Sequence, residues 1–195
     1  MKKIKLTYLI LIIGLLSCQD KSNDSKTIYL DKFKWKITIP DNFNRVKTKD
    51  WEELQKKGEN AIENTVGQDI VNYSTTIFVY KNGQFNTFES NYQPFDPEVD
   101  GDYLESCKGV NDLLYKTFES QIPGAILDSI SSFELINGLE FHRFDINLDL
   151  PNGIKMKTTE FSRLFDKYDF TVNITYIDEK YGNLMFDSFK NSTFN

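Results

Sequence analysis

The sequence contains one histidine, two cysteines and five prolines in 195 residues. With His142 the sole imidazole, any Ser-His-Asp or Cys-His mechanism has to run through it. A zinc site, which takes three or four nitrogen or sulfur ligands, is poorly served by one His and two Cys. The chain has no Gly-x-Ser-x-Gly nucleophile turn and no glycine-rich phosphate loop. Positive charge is also short: 23 Lys and Arg face 29 Asp and Glu, a formal net charge of -6. That balance argues against a sequence-blind nucleic-acid binder, which needs cations to displace counterions from phosphates. No apolar run reaches the about 20 residues that a bilayer-spanning helix requires. What remains is 39% hydrophobic and 27% charged, the composition of an ordinary globular domain.

The N-terminus carries the most specific signal. Lys2, Lys3 and Lys5 precede an apolar run over residues 6–16, which breaks at Ser17-Cys18 into Gln19-Asp20-Lys21-Ser22. A positive start, a short apolar stretch and a small residue before the break read as a secretion signal. The segment resembles a bacterial lipoprotein signal, with Leu16 bulkier than that position usually carries. The resemblance implies cleavage before Cys18, lipid on the Cys18 thiol and acylation of the new amine. Residues 1–17 are then signal peptide, and 18–27 a lipidated, polar, flexible tether; 28–195 form one domain. Several acyl chains anchor a protein firmly, whereas one is marginal. Gln19 does not resemble the Asp that retains some lipoproteins at an inner membrane, which points to the outer membrane. Only Cys107 remains in the domain, so it holds no intramolecular disulfide.

Along the domain, Phe33, Trp35, Ile37 and Ile39 alternate with polar residues and predict a half-buried strand ended by Pro40. Residues 50–66 have helical periodicity, with Trp51, Leu54, Ala61, Ile62 and Val66 near one face. A strand over 75–80 turns at Asn82-Gly83, and residues 84–101 read as irregular. A second helix is predicted over 102–121, with Tyr103, Cys107, Val110, Leu114 and Phe118 as its apolar stripe. Asp102 and Glu105 have the spacing of a capping box at its start. Strands over 125–135, 139–150, 154–165 and 168–177 follow as a meander, then a closing helix from Asp178. Strands and helices that do not alternate regularly predict an α+β domain, its sheet largely antiparallel and flanked by helices.

This order resembles the fold shared by the PsbP and Mog1 families, an α/β/α sandwich. The residues that carry it are 33–40 (FKWKITIP), 137–141 (NGLEF) and 189–194 (FKNSTF). The resemblance spans most of 28–195 and implies a noncatalytic binding or assembly module. It supplies no active-site motif and no cofactor.

Two constellations stand out. Phe85, Phe88, Tyr92 and Phe95 recur among Asn86, Glu89, Asn91 and Gln93. Aromatic faces beside amides and acids suit a protein contact or a glycan groove. Their spacing equally suits rings tucked under a lid on the core. The acidic stretch Asp96, Glu98, Asp100, Gly101, Asp102 has alternating oxygen donors before a glycine, as a calcium loop does. Its twelfth position is Cys107 in place of the bidentate Glu, so a solvated turn with a helix cap is the other reading. Cys107 falls on the apolar stripe as a buried, inert thiol, and His142 shares a face with Phe144, Ile146 and Leu148 as a packed strand residue. These readings predict a lipid-anchored, noncatalytic binding or assembly protein of a bacterial envelope. It would meet a membrane and an envelope protein, and segment 84–102 would be its working surface. The alternative is capture of a glycan or calcium by the same segment.

Overall fold

A computed structural model describes residues 26–195 of the chain. The expected signal peptide, Cys18 and residues 18–25 of the tether lie outside the described residues. The chain runs β1 (Thr27–Leu30), a 3-10 turn (Asp31–Phe33), β2 (Trp35–Thr38), β3 (Asn44–Arg45), α1 (Thr48–Val66), β4 (Thr75–Asn82) and β5 (Asn86–Pro94). It continues through α2 (Pro97–Asp100), α3 (Tyr103–Gln121), β6 (Ile126–Ile136), β7 (Leu139–Asp149), β8 (Lys155–Phe165), β9 (Tyr168–Tyr176), α4 (Glu179–Lys190) and β10 (Thr193–Phe194). The architecture is α+β with antiparallel pairing at every strand contact.

Seven strands form the main sheet in the order β3-β4-β5-β9-β8-β7-β6, and β1-β2-β10 form a small second sheet. The two-residue connection between β6 and β7 puts Asn137 and Gly138 at positive φ, 51° and 77°. A primed turn of that kind matches strand twist, and Asn-Gly is its preferred sequence. One face of the main sheet packs on the small sheet and α4 through an aromatic core. Trp35 is its hub, with its ring centroid 4.9 Å from that of Phe170 and 5.8 Å from that of Phe194. Its indole N–H donates to Ser192 Oγ at 2.9 Å, so the buried ring leaves no unpaired donor. Helix α4 lies close to β9 because Gly182 has no side chain: a Cβ there would meet the Tyr176 ring at 2.7 Å. The other face is covered by α1 and α3, over a smaller cluster of Phe144, Ile146 and Leu148.

Three expectations are corrected. The domain begins before residue 28, since Thr27 already pairs with Thr38 and Lys26 Nζ donates to the carbonyl of Asp41 at 2.8 Å. Residues 84–101 are not irregular, because β5 lies between β4 and β9 and uses both neighbours for its backbone hydrogen bonds. The inward face of α3 carries Asn111, while Val110 is exposed. Cys107 and Asn111 are four apart and stack on one side of the helix, and Val110 is rotated about 100° away from Asn111. No helix among the described residues is long and apolar enough to cross a membrane.

Candidate functional site

Strand alternation gives the main sheet two chemically different faces. On β9, Phe170, Val172, Ile174 and Tyr176 enter the aromatic core, while Asp169, Thr171, Asn173 and Thr175 point the other way. The register carries that polar set across the sheet: Asn173 sits opposite Glu89 of β5 and Glu160 of β8, and Thr171 sits opposite Asn91 and Ser162. Helix α3 closes over this layer with Tyr103, Cys107 and Asn111 at successive i, i+4 positions. None of the three is aliphatic.

The short or polar side chains on both sides leave gaps beneath the helix. A cavity of about 140 Å³ lies among Tyr103, Cys107, Glu160, Ser162, Asp169 and Asn173. A second, of about 240 Å³, shares Tyr103 and Ser162 with it and extends past Leu104, Phe133 and His142. The third and largest, about 650 Å³, shares His142 and runs between α3 and strands β6 and β7. Together they form a groove along the length of α3.

Its inner end is acidic. Burial pushes Glu89 and Glu160 up to about 7, and the Asp169 and Glu89 charges add to the effect on Glu160. Burial also raises Asp169, although Tyr103 O–H donates to its Oδ1 at 2.8 Å and the Gln93 amide to its Oδ2 at 3.2 Å. Burial raises the Cys107 thiol, whose sulfur lies 3.6 Å from Ser162 Oγ. A thiol held protonated in this way is a poor nucleophile. Burial lowers His142, which favours the neutral form of its ring. The ring of Phe133 packs edge-on against it at 5.7 Å. No acid orients this imidazole among the described residues, so the nucleophile, base and orienting acid of a triad are not assembled around it.

The segment expected to be the working surface is placed differently. Phe88 is 0% exposed, and its ring centroid lies 5.2 Å from that of Phe78 in the core. Phe95 is buried against Tyr103, with ring centroids 5.3 Å apart. Tyr92 is half-buried between Phe33 and Tyr168, and Phe85 is half-buried at the β4–β5 turn. Phe88 and Phe95 are therefore packed, not presented: β5 is a central strand that turns Phe88 into the core, and Phe95, just past its end, is covered by Tyr103 of α3. The calcium loop is corrected as well. Asp96 accepts from the Glu98 N–H at 3.0 Å, and its own N–H donates to Asp100 Oδ2 at 2.7 Å. Asp102 caps α3 by accepting from the Glu105 N–H at 3.0 Å. These carboxylates serve backbone donors, and no group of three metal-ligating side chains is assembled among the described residues.

The same side of the molecule has an open edge. Strand β6 ends the main sheet with eleven residues and pairs with β7 in unbroken register from Ile126 to Ile136. Ile126 is 72% exposed, Ile130 60%, Phe133 55% and Leu135 70%. Sheet edges are usually blunted by shortness, Lys, Pro or a bulge, and β6 has none of these. The opposite edge, β3, has two residues.

Neither a scan against protein-family models nor a search of curated proteins finds a match to this sequence. Among solved structures, the chain is similar to the solution structure of cyanobacterial PsbP from Synechocystis sp. PCC 6803. The likeness has a TM-score of 0.57 at 9% identity and covers 93% of this chain and 99% of that one. The chain is a single α+β domain of PsbP-like fold. At that identity the likeness defines the fold and leaves activity, ligand and partner open.

Proposed function

We propose that the protein is a membrane-anchored, noncatalytic binding or assembly lipoprotein of the bacterial envelope, with β6 as its docking element. The observation that carries this reading is the long apolar edge just described. A free sheet edge, with exposed Ile126 and Ile130 on one face and Phe133 and Leu135 on the other, suits one kind of occupant, an added strand. The occupant is an extended segment of a separate envelope protein, with alternating apolar residues. A basic residue on that segment would face Asp128, because Glu134, the other acid on β6, is already held by Arg143 and Lys190 at 2.6 and 2.7 Å. Lipid on Cys18 would confine the domain near the membrane and raise its effective concentration for such a partner.

The test uses the full-length, lipidated chain in cells, with a photo-reactive residue placed at 130 or, as a control, at Lys56 on α1. One defined envelope protein joined to position 130 and not to 56 is the expected result, and Cys18→Ala should weaken it. The same adducts from both positions, none from either, or only a self-adduct of this chain would overturn the reading.

A further inference from the structure

We propose that the cleft between α3 and strands β6 and β7 is a binding site for an acidic monosaccharide, a small ligand with both an anionic group and hydroxyl donors. The cleft shares β6 with the docking edge but does not depend on strand addition. Asn111 anchors the argument. It is 4% exposed, lines the cleft, and its side-chain oxygen has no hydrogen-bond partner among the described residues. Buried polar atoms are nearly always paired, so an acceptor left over beside a cavity calls for a donor from whatever fills it.

Lys108 and Lys116 line the same cleft and form no ion pair among the described residues. Asp112 lies one helical turn from each and also lines the cleft, so the three leave one positive charge on the helix side. A net cationic rim stands out on a chain of charge -6. Across the cleft, Ser129 and Ser131 of β6 offer hydroxyls, and His142 adds one donor and one acceptor as a neutral ring. Phe144 supplies an apolar wall. At about 650 Å³ the space is in the range of small-molecule sites.

The ligand class follows by matching these groups. Inorganic phosphate would satisfy the lysines but brings only one or two O–H donors for Asn111, Asp112 and the serines, and no apolar face for Phe144. A neutral sugar would supply hydroxyls to Asn111 and Asp112 and leave the lysines without an anion. A sugar bearing a carboxylate or a phosphate answers both, and its C–H face can lie on Phe144.

Titration calorimetry on the full-length protein tests the site with glucuronate, glucose 6-phosphate, glucose and inorganic phosphate. At least one acidic sugar should bind about tenfold more tightly than glucose or phosphate. Binding of glucuronate alone would identify a carboxylated ligand, and of glucose 6-phosphate alone a phosphorylated one; either supports the site. The double variant K108A/K116A should weaken that binding about tenfold or more, as loss of charged hydrogen bonds does. Asn111→Leu should weaken it as well, with its melting curve recorded to show that it folds. Ser131→Ala, at the exposed rim, provides a second reading in a variant that removes no packing. No heat from either acidic sugar up to about 10 mM, equal binding of inorganic phosphate, or affinities unchanged in all three variants would overturn the proposal.

Discussion

The two faces of the main sheet are built from the same strands and carry opposite chemistry. Toward α4 and the small sheet, alternate residues are aromatic or branched and pack around Trp35 and Phe170. Toward α3, the intervening residues are Glu89, Glu160, Ser162, Asp169 and Asn173, and cavities remain between them and the helix. The first face accounts for stability and the second holds groups that cost stability. Buried carboxylates and an unpaired amide reduce stability unless something else is gained. That is the pattern of a scaffold and a site on one sheet.

The sharpest way to break the comparison is to truncate one residue on each face. Phe170→Ala should cost about 3–5 kcal/mol, since it empties the centre of the aromatic core. Urea unfolding would measure it, and a cost under about 1 kcal/mol would end the claim that this face holds the domain together. On the α3 side, Glu160→Gln should act through pH. Glu89 and Glu160 hold protons to about 7 when folded, against an ordinary value of 4.5. Between those values the folded state binds more protons at these two sites than the unfolded one, so their contribution to stability is fully present below about 4.5 and is lost as pH rises through 7. Glu160→Gln should flatten that decline and raise the melting midpoint at pH 8 by about 2–4 °C. An unchanged pH profile would place the charge elsewhere.

A smaller effect is expected at Asn111. In the unliganded protein Asn111→Leu removes a buried unpaired acceptor and should raise stability by about 1 kcal/mol, measured by thermal melting. A loss of similar size would mean that the amide is satisfied by the fold. The smallest stability change belongs to the open edge, where Ile130→Lys should stay within about 0.5 kcal/mol of the parent. It should nonetheless abolish strand docking, scored by a photo-reactive residue at 133. Separation of the two readouts would mark β6 as a surface kept for interaction.

Much of the fold was legible along the chain. The four long strands β6 to β9 announce themselves by alternation and by turns at Asn137-Gly138, Pro151-Asn152-Gly153 and Asp166-Lys167. The caps at Asp102 and Asp178 mark where α3 and α4 begin. Strand β5 was not legible. One of its faces carries Asn86, Phe88, Ser90 and Tyr92, the other Thr87, Glu89, Asn91 and Gln93, so neither set is purely apolar. Its aromatics, counted with Phe85 and Phe95, fall at intervals of 3, 4 and 3 and so imitate a helix. The groove was missed for a related reason. Glu160, Ser162, Asp169 and Asn173 occupy the polar phase of amphipathic strands, which ordinarily faces water, and only the docking of α3 encloses them. The lone signal on the helix was Asn111 four residues after Cys107, a polar residue at the contact spacing.

Local spacing and chemistry by themselves determine the strands of the C-terminal meander, the helix starts and the aromatic core, because period-two burial and capping act over a few residues. Which polar residues are buried, which edge is open and which side chains share a cleft depend on how elements distant in the chain pack. Asn111 and His142 lie on different elements, and only the seating of α3 across the sheet brings them to one cavity. Burial is a property of the assembled layers, so the site follows from tertiary structure even where every residue in it was visible in the sequence.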